Sequence, residues 1–230
     1  RTVNQFFRAL KEVYIMSKRL RSFMVAVMMA GVSLSAAACG EGGTDSVKGE
    51  KTFRVAMAKA DITPKKSVYL EGYEGHGDAS FAIYPDNFTS DLMARILVVD
   101  NGDDRLVFLN LELAISDVDF HVRSVSKSLI ERIASACHTA TDNVLLSNTH
   151  NHHAPMTLSE PQEDNIAAAA EEAYKNLVPA SIGISTVNTA FGISRGSNYT
   201  MDEKKPYDNV MTVIRFEDAK SKKPIGLVYS

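Results

Sequence analysis

Three of the six histidines in this chain of 230 residues lie within four positions, at His150, His152 and His153. They follow the apolar run 144–146, where a predicted buried strand gives way to a loop. Because alternate side chains of an extended backbone share a face, His150 and His152 are expected to point the same way. Paired imidazoles at a strand end are suited to binding a metal ion or transferring a proton. The spacing alone fits a solvated histidine-rich loop equally well.

Apolar periodicity predicts the elements that would position these histidines. Helix spacing runs from Asp117 to Cys137 with Ser116 as its N-cap, and a second helix is predicted over about 161–177, ended by Pro179. Strand patterns, with a hairpin turn at 100–104, occur at 53–58, 92–99, 106–113, 144–146, 182–187, 210–216 and 225–229. Strand pairs mixed with helices predict an α/β fold of layered mixed β-sheets flanked by helices, incomplete at the C-terminus.

Composition limits the partners and the source of stability. Hydrophobic residues make up 45% of the chain, enough for a packed core. A formal net charge of −3 gives no reason to expect nucleic acid as a partner. Cys137 lies on the apolar side of a predicted helix and is expected to be a buried small residue. Stability is therefore expected to come from the core rather than from disulfides.

The first 52 residues have the organisation of an exported protein. Residues 1–15 are interpreted as an upstream, non-native segment, because the first methionine is Met16. Residues 16–39 have the pattern of a signal peptide, with positive residues, a short apolar run and small residues before Cys39. Residues 40–52 predict a flexible tether, and 53–230 a partial domain that stops within an apolar run.

The segment 36–40, Ala-Ala-Ala-Cys-Gly, resembles a bacterial lipoprotein cleavage site, at which the cysteine is lipidated. Cleavage of a plain secretory signal nearby is the alternative. Both interpretations predict an exported protein of the periplasm or cell surface. Lipidation of Cys39 would add a membrane anchor.

A series of short motifs over about 53–230 resembles the N-terminal catalytic domain of the neutral/alkaline (non-lysosomal) ceramidase family. The matching segments, in chain order, are 59–64 (K-A-D-I-T-P), 72–73, 92–95, 107–113, 143–155, 193–199 and 211–226. The family's T-H-T-H-S-G-P is T-H-N-H-H-A-P here, so that His153 and Ala154 replace Ser and Gly. Ser194 and Glu112 stand where the family has Asn and Asp.

The resemblance implies zinc-dependent hydrolysis of the amide of ceramide or a related N-acyl lipid. By position, His150 would be a zinc ligand, and His152 would lie beside it as a hydrogen-bonding and proton-transfer group. Arg195 would stabilise negative charge on the amide oxygen. Tyr199 and Glu112 would support the site without touching the metal, although a capping or turn role fits Glu112 equally well.

In the family, the other zinc ligands lie beyond the position of Ser230. The chain is therefore expected to be an N-terminal fragment that binds zinc weakly and has no amidase activity by itself. Two alternatives stay open. One is a metallohydrolase of the same fold for a different amide or ester, because His153 and Ala154 reshape the pocket. The other is a surface lipoprotein that keeps the fold without catalysis.

Overall fold

The computed structural model describes residues 53–70, 82–83, 90–114, 125–190 and 209–229. The predicted upstream segment, signal peptide and tether, including Cys39, lie outside these ranges, so their boundaries stay predictions. Within the described ranges, no helix is long and apolar enough to cross a membrane. The helices are α1 (Lys127–Ala136) and α2 (Glu160–Lys175). The strands are β1 (Arg54–Asp61), β2 (Val68–Tyr69), β3 (Ala82–Ile83), β4 (Met93–Asp100), β5 (Arg105–Leu111), β6 (Val144–Asn148), β7 (Val178–Asn188), β8 (Val210–Asp218) and β9 (Pro224–Tyr229).

Seven of these strands form one mixed sheet, in the order β6-β5-β4-β1-β7-β8-β9. The β5–β6 pair is parallel, while the other neighbours in this sheet are antiparallel. The chain between β5 and β6 contains α1, as expected for a parallel crossover. The predicted α/β class with a mixed sheet is therefore confirmed, and the described strands match the predicted ones closely.

The hydrophobic core lies between one face of the sheet and the two helices. Alternate residues of the central strands share this face, as period-2 patterning requires. The helices contribute the apolar stripe of α1 and the small residues of α2, which allow close approach to the sheet. Members of this cluster include Ala94, Ile96, Val98, Val107, Leu109, Leu111, Leu129, Ile133, Ile166, Ala170 and Ala173.

Helix α1 begins at Lys127, and Val125 and Ser126 are not helical, so the prediction of one unbroken helix over 117–137 was wrong; residues 117–124 lie outside the described ranges. The N-cap is Ser126, whose backbone is extended and whose Oγ accepts a hydrogen bond from Leu129 N at 3.0 Å. The carboxylate of Glu163 in α2 also accepts hydrogen bonds from Ser126 N and Oγ, at 2.8 and 2.5 Å. This contact with α2 helps to fix the start of α1. Ser116, the predicted cap, lies outside the described residues.

Helix α2 ends at Lys175, with Asn176 as its C-cap, two residues before the predicted end at about 177. Pro179 lies in β7, opposite Arg54 of β1. The start of α2 was predicted to within one residue, and it carries a capping box formed by Ser159 and Gln162.

The predicted turn between β4 and β5 is confirmed and is closed by side chains. Asp100 Oδ1 accepts from Gly102 N at 2.8 Å, and Asn101 Oδ1 accepts from Asp104 N at 2.7 Å. Arg105 then donates through Nε and Nη2 to Asp100 Oδ2, at 2.8 and 2.6 Å. These bonds fix the register of the two strands that lead to the histidine-bearing end of the sheet.

Candidate functional site

The histidine-bearing loop continues alongside the end of β5 after β6 has ended. Leu111 lies opposite Asn148 at the last register position of the parallel pair. Beyond it, Thr149 N donates to Leu111 O at 3.0 Å and Asn151 N donates to Leu113 O at 3.1 Å. The two segments therefore stay paired past the end of the regular sheet, and this pairing carries His150 and His152 to its edge.

The rings of His150 and His152 meet, but an extended backbone does not bring them together. His150 has a φ of 58°, in the left-handed region that residues other than glycine seldom adopt. The ring centroids lie 4.8 Å apart at an interplanar angle of 79°, and the two Nε2 atoms are 3.2 Å apart. The predicted juxtaposition is thus present, while the predicted reason for it was wrong.

The third histidine lies in the turn that follows the pair. His153 N donates to Asn151 Oδ1 at 2.9 Å, and the His153 side chain is exposed. His150 is also exposed, whereas His152 is half-buried. The two histidine rings that contact each other in this loop are therefore those of His150 and His152.

Glu112 follows the last residue of β5, and its carboxylate binds groups of the neighbouring strand β4. Glu112 Oε2 accepts from Met93 N at 2.7 Å, and Oε1 pairs with Arg95 Nη1. These contacts correspond to the strand-end role that the sequence left open. A role for Glu112 toward the histidines stays a prediction. Arg195 and Tyr199 lie outside the described residues, as does Cys39.

The pair fits part of a zinc site. Neutral imidazole nitrogens are common zinc ligands, and two nitrogens bonded to one tetrahedral zinc at about 2.0–2.1 Å are about 3.3 Å apart. The observed Nε2–Nε2 separation of 3.2 Å is close to that value, and it is equally a hydrogen-bond distance between the two imidazoles. Within the described part of the chain, no group of three or more His, Cys, Asp or Glu side chains could hold a metal ion. The described residues therefore supply a pair of donors and not a full ligand set.

The described residues between β1 and β4 include a short pair of strands, β2 and β3. Backbone contacts join β2 to the chain after the histidines, because Leu70 pairs with Pro155 and Met156 N donates to Tyr69 O at 3.1 Å. Nearby, a cavity of about 490 Å³ lies between the residues after β1 and the start of α2, with Lys65 and Leu158 in its lining. Sequence reasoning gave no sign of this cavity.

Sequence reasoning also missed Asn148, the last residue of β6. Its Nδ2 donates to Ala114 O at 2.8 Å, which ties the loop after β5 to the start of the histidine turn. Asn148 falls at an unmatched position of the resembled motif, so no motif identified it. An asparagine directly before a loop was the one available signal.

No protein-family model matches the sequence, and no curated protein matches it. Among solved structures, the chain is similar to a neutral ceramidase from Pseudomonas aeruginosa, with 19% identity and a TM-score of 0.57 over 79% of this chain and 32% of that chain. The chain has a neutral ceramidase-like fold. A ceramidase complexed with C2 matches at 18% identity with a TM-score of 0.54, over 77% of this chain and 30% of that chain.

At these identities the similarity to neutral ceramidase is a similarity of fold, and the fold implied by the sequence motifs is confirmed. The chain spans less than a third of the length of each of the two ceramidase structures.

Proposed function

We propose that this chain carries the histidine turn of a zinc-dependent amide hydrolase that acts on ceramide or a related N-acyl lipid. The observation that carries this proposal is the contact between His150 and His152, with 3.2 Å between their Nε2 atoms. The neutral ceramidase-like fold and the resembled T-H-x-H motif support the same assignment. A fold alone does not fix an activity, so the proposal depends on this site.

In the proposed site, His150 and His152 have different roles. A zinc ion bound at such a site lowers the pKa of a bound water to about 7 and polarises a carbonyl. His150 would hold the metal through Nε2, which requires its ring proton to lie on Nδ1. His152, with its Nε2 facing the same point, would give or take the proton that amide cleavage moves.

Negative charge that develops on the amide oxygen would be stabilised by Arg195, placed by the resemblance alone. A guanidinium is charged at all physiological pH values and offers several donors. Donors aimed at the position of a developing oxyanion strengthen their bonds in the transition state, which is how they accelerate the reaction. Arg195 is therefore expected to stabilise the charged transition state much more than the bound, uncharged amide.

We further propose that the 230-residue chain does not complete this site. Catalytic zinc usually has three protein ligands; the resemblance assigns one of them, His150, to this chain, and no three potential ligands come together within the described residues. Weak zinc binding and no ceramide hydrolysis are therefore expected from the chain by itself. Additional ligands would come from residues outside the described ranges.

The test is to express the protein from its complete gene, without the predicted signal peptide, and to measure zinc content and fluorescent-ceramide hydrolysis together. His150→Asn removes the imidazole with little backbone cost, because asparagine tolerates the left-handed conformation of His150. His153→Asn is the matched control in the same loop.

We expect about one zinc per chain and ceramide hydrolysis in the unaltered protein and in H153N, with both lost in H150N. Zinc without ceramide hydrolysis would contradict the proposed substrate and favour a different amide or ester. No bound metal in the unaltered protein would contradict the hydrolase proposal and favour a non-catalytic surface protein.

A further inference from the structure

The side chain of Asn148 joins the two loops that meet at the histidine-bearing end of the sheet. Its Nδ2 donates to Ala114 O at 2.8 Å, across 34 positions of sequence. Two backbone bonds lie beside it, from Thr149 N to Leu111 O and from Asn151 N to Leu113 O. Among the described residues, three hydrogen bonds therefore join the turn that holds His150 to the end of β5 and the three residues after it, and one of the three comes from a side chain.

The conformation of the histidine turn depends on such hydrogen bonds, because neither regular strand pairing nor a favoured backbone conformation holds it. Regular pairing of β6 ends at Asn148, and His150 adopts a left-handed φ of 58°, which residues other than glycine seldom adopt. Both His150 and His153 are exposed, so burial of their side chains does little to hold the turn in place. The contacts that flank the turn must therefore set where the two imidazoles lie.

We propose that Asn148 is a positioning residue for the His150–His152 pair. By binding Ala114 O, it holds the segment 148–151 against the chain that leaves β5 and keeps the two rings in contact. Asn148 acts through the histidines and touches neither metal nor substrate in this account. The inference rests on the proposed function, in which His150 holds the metal and His152 lies beside it.

A neighbouring asparagine provides the matched control. Asn110 of β5 donates through Nδ2 to Ser147 Oγ of β6 at 3.0 Å, one register position before Asn148. An aspartate at 110 can keep this bond, because the Ser147 hydroxyl can donate to it. An aspartate at 148 cannot keep its bond, because a carbonyl oxygen only accepts. N148D and N110D thus each add one negative charge to the same strand pair, but N148D loses its hydrogen bond whereas N110D keeps it.

The experiment uses the full chain without metal, compares N148D, N148A and N110D with the unaltered protein, and has two readouts. The first is the NMR cross-relaxation between the ring protons of His150 and His152. The second is Zn²⁺ affinity by calorimetric titration. We expect both N148D and N148A to weaken the ring-to-ring signal and to lower Zn²⁺ affinity about tenfold, a typical effect of losing a group that orients a ligand. N110D should match the unaltered chain.

A loss of stability in the Asn148 variants with unchanged ring contact and Zn²⁺ affinity would overturn the proposal, because Asn148 would then be structural only. If N148D does not fold, N148A decides by the same two readouts. The ring-to-ring signal is measured without metal, so it tests positioning even if the unaltered chain binds no zinc. Failure of the proposed function would instead show in the protein expressed from the complete gene, as absent zinc and absent ceramide hydrolysis.

Discussion

His150 and His152 place their Nε2 atoms 3.2 Å apart because the backbone of His150 turns into the left-handed region, with a φ of 58°. In a regular strand, residues two positions apart are separated by about 6.6 Å along the chain, and their rings stand side by side without closing on each other. The same turn that makes the pair is therefore a point of backbone strain.

Substitutions at His150 should reveal this strain. His150→Val introduces a β-branched residue into a left-handed conformation and should lower the free energy of unfolding by about 1–2 kcal/mol. His150→Asn should change it by less than about 0.5 kcal/mol, because asparagine tolerates that conformation. Urea unfolding followed by circular dichroism measures both. Equal stability of the two variants would show that φ at this position relaxes without cost.

Asp100 should make stability depend on pH. Its side chain is 3% exposed, and burial opposes its ionisation, but hydrogen bonds from Arg105 and Gly102, together with the charges of Arg105 and Arg54, hold its pKa below the ordinary 3.8. The folded state therefore binds fewer protons here than the unfolded state does. The stabilisation is complete above pH 3.8 and is lost as the pH falls through the folded pKa.

Asp100→Asn should accordingly cost about 3 kcal/mol at pH 7, because it leaves the Arg105 charge without its buried partner. The difference from the unaltered chain should shrink steadily when unfolding is repeated below pH 3.8. Asp91→Asn, at an exposed aspartate, is the control and should stay within about 0.5 kcal/mol. A cost for D100N that is the same at pH 7 and at low pH would contradict this account.

Ser126 and Glu163 should be energetically coupled. Ser126→Ala removes both the cap of α1 and the hydroxyl that Glu163 accepts, and it should cost about 2 kcal/mol. Once Glu163 is changed to Gln, the same serine substitution should cost at least about 0.5 kcal/mol less. A double-mutant cycle by urea unfolding measures this coupling. Additive costs would mean that α2 does not stabilise the start of α1 through this contact.

Cys137 should be unreactive in the folded chain. Its side chain is fully buried, and burial raises the pKa of the thiol from 9.0 to about 11, with nearby Arg105 opposing the rise. Thiolate is the reacting form, so this shift alone should slow alkylation about 100-fold near neutral pH. Iodoacetamide labelling of a Cys39→Ser variant, with and without urea, isolates Cys137. Rapid labelling without urea would contradict the buried placement.

The elements that could be predicted from sequence are those that local patterns specify. The nearly continuous apolar run of β4 and the turn residues at 100–104 are local features, and both predictions held to within one or two residues. The start of α1 could not be predicted in this way. Apolar residues at helix spacing continue upstream of Val125, so the pattern alone does not show that the helix starts after Ser126. The observed N-cap, Ser126, is hydrogen-bonded to Glu163 of α2, which lies 37 residues away in the sequence.

For the candidate site too, local features could be predicted from the sequence and features that depend on the whole fold could not. Two histidines at alternate positions were visible in the sequence, and so was the apolar strand before them. The left-handed conformation of His150 and the bond from Asn148 to Ala114 depend on which loops the sheet brings together. The parallel pairing of β5 with β6 decides which loops meet, and this pairing is a property of the whole fold.

The proposed role of His150 as a metal ligand, with His152 beside it, is tested most directly by titrating the metal-free full chain with Zn²⁺ by calorimetry. The account predicts weak binding of one zinc ion, at least tenfold weaker binding in H150N, and binding within about twofold of the unaltered value in H153N. Equal affinity in the unaltered chain and in H150N would contradict the claim.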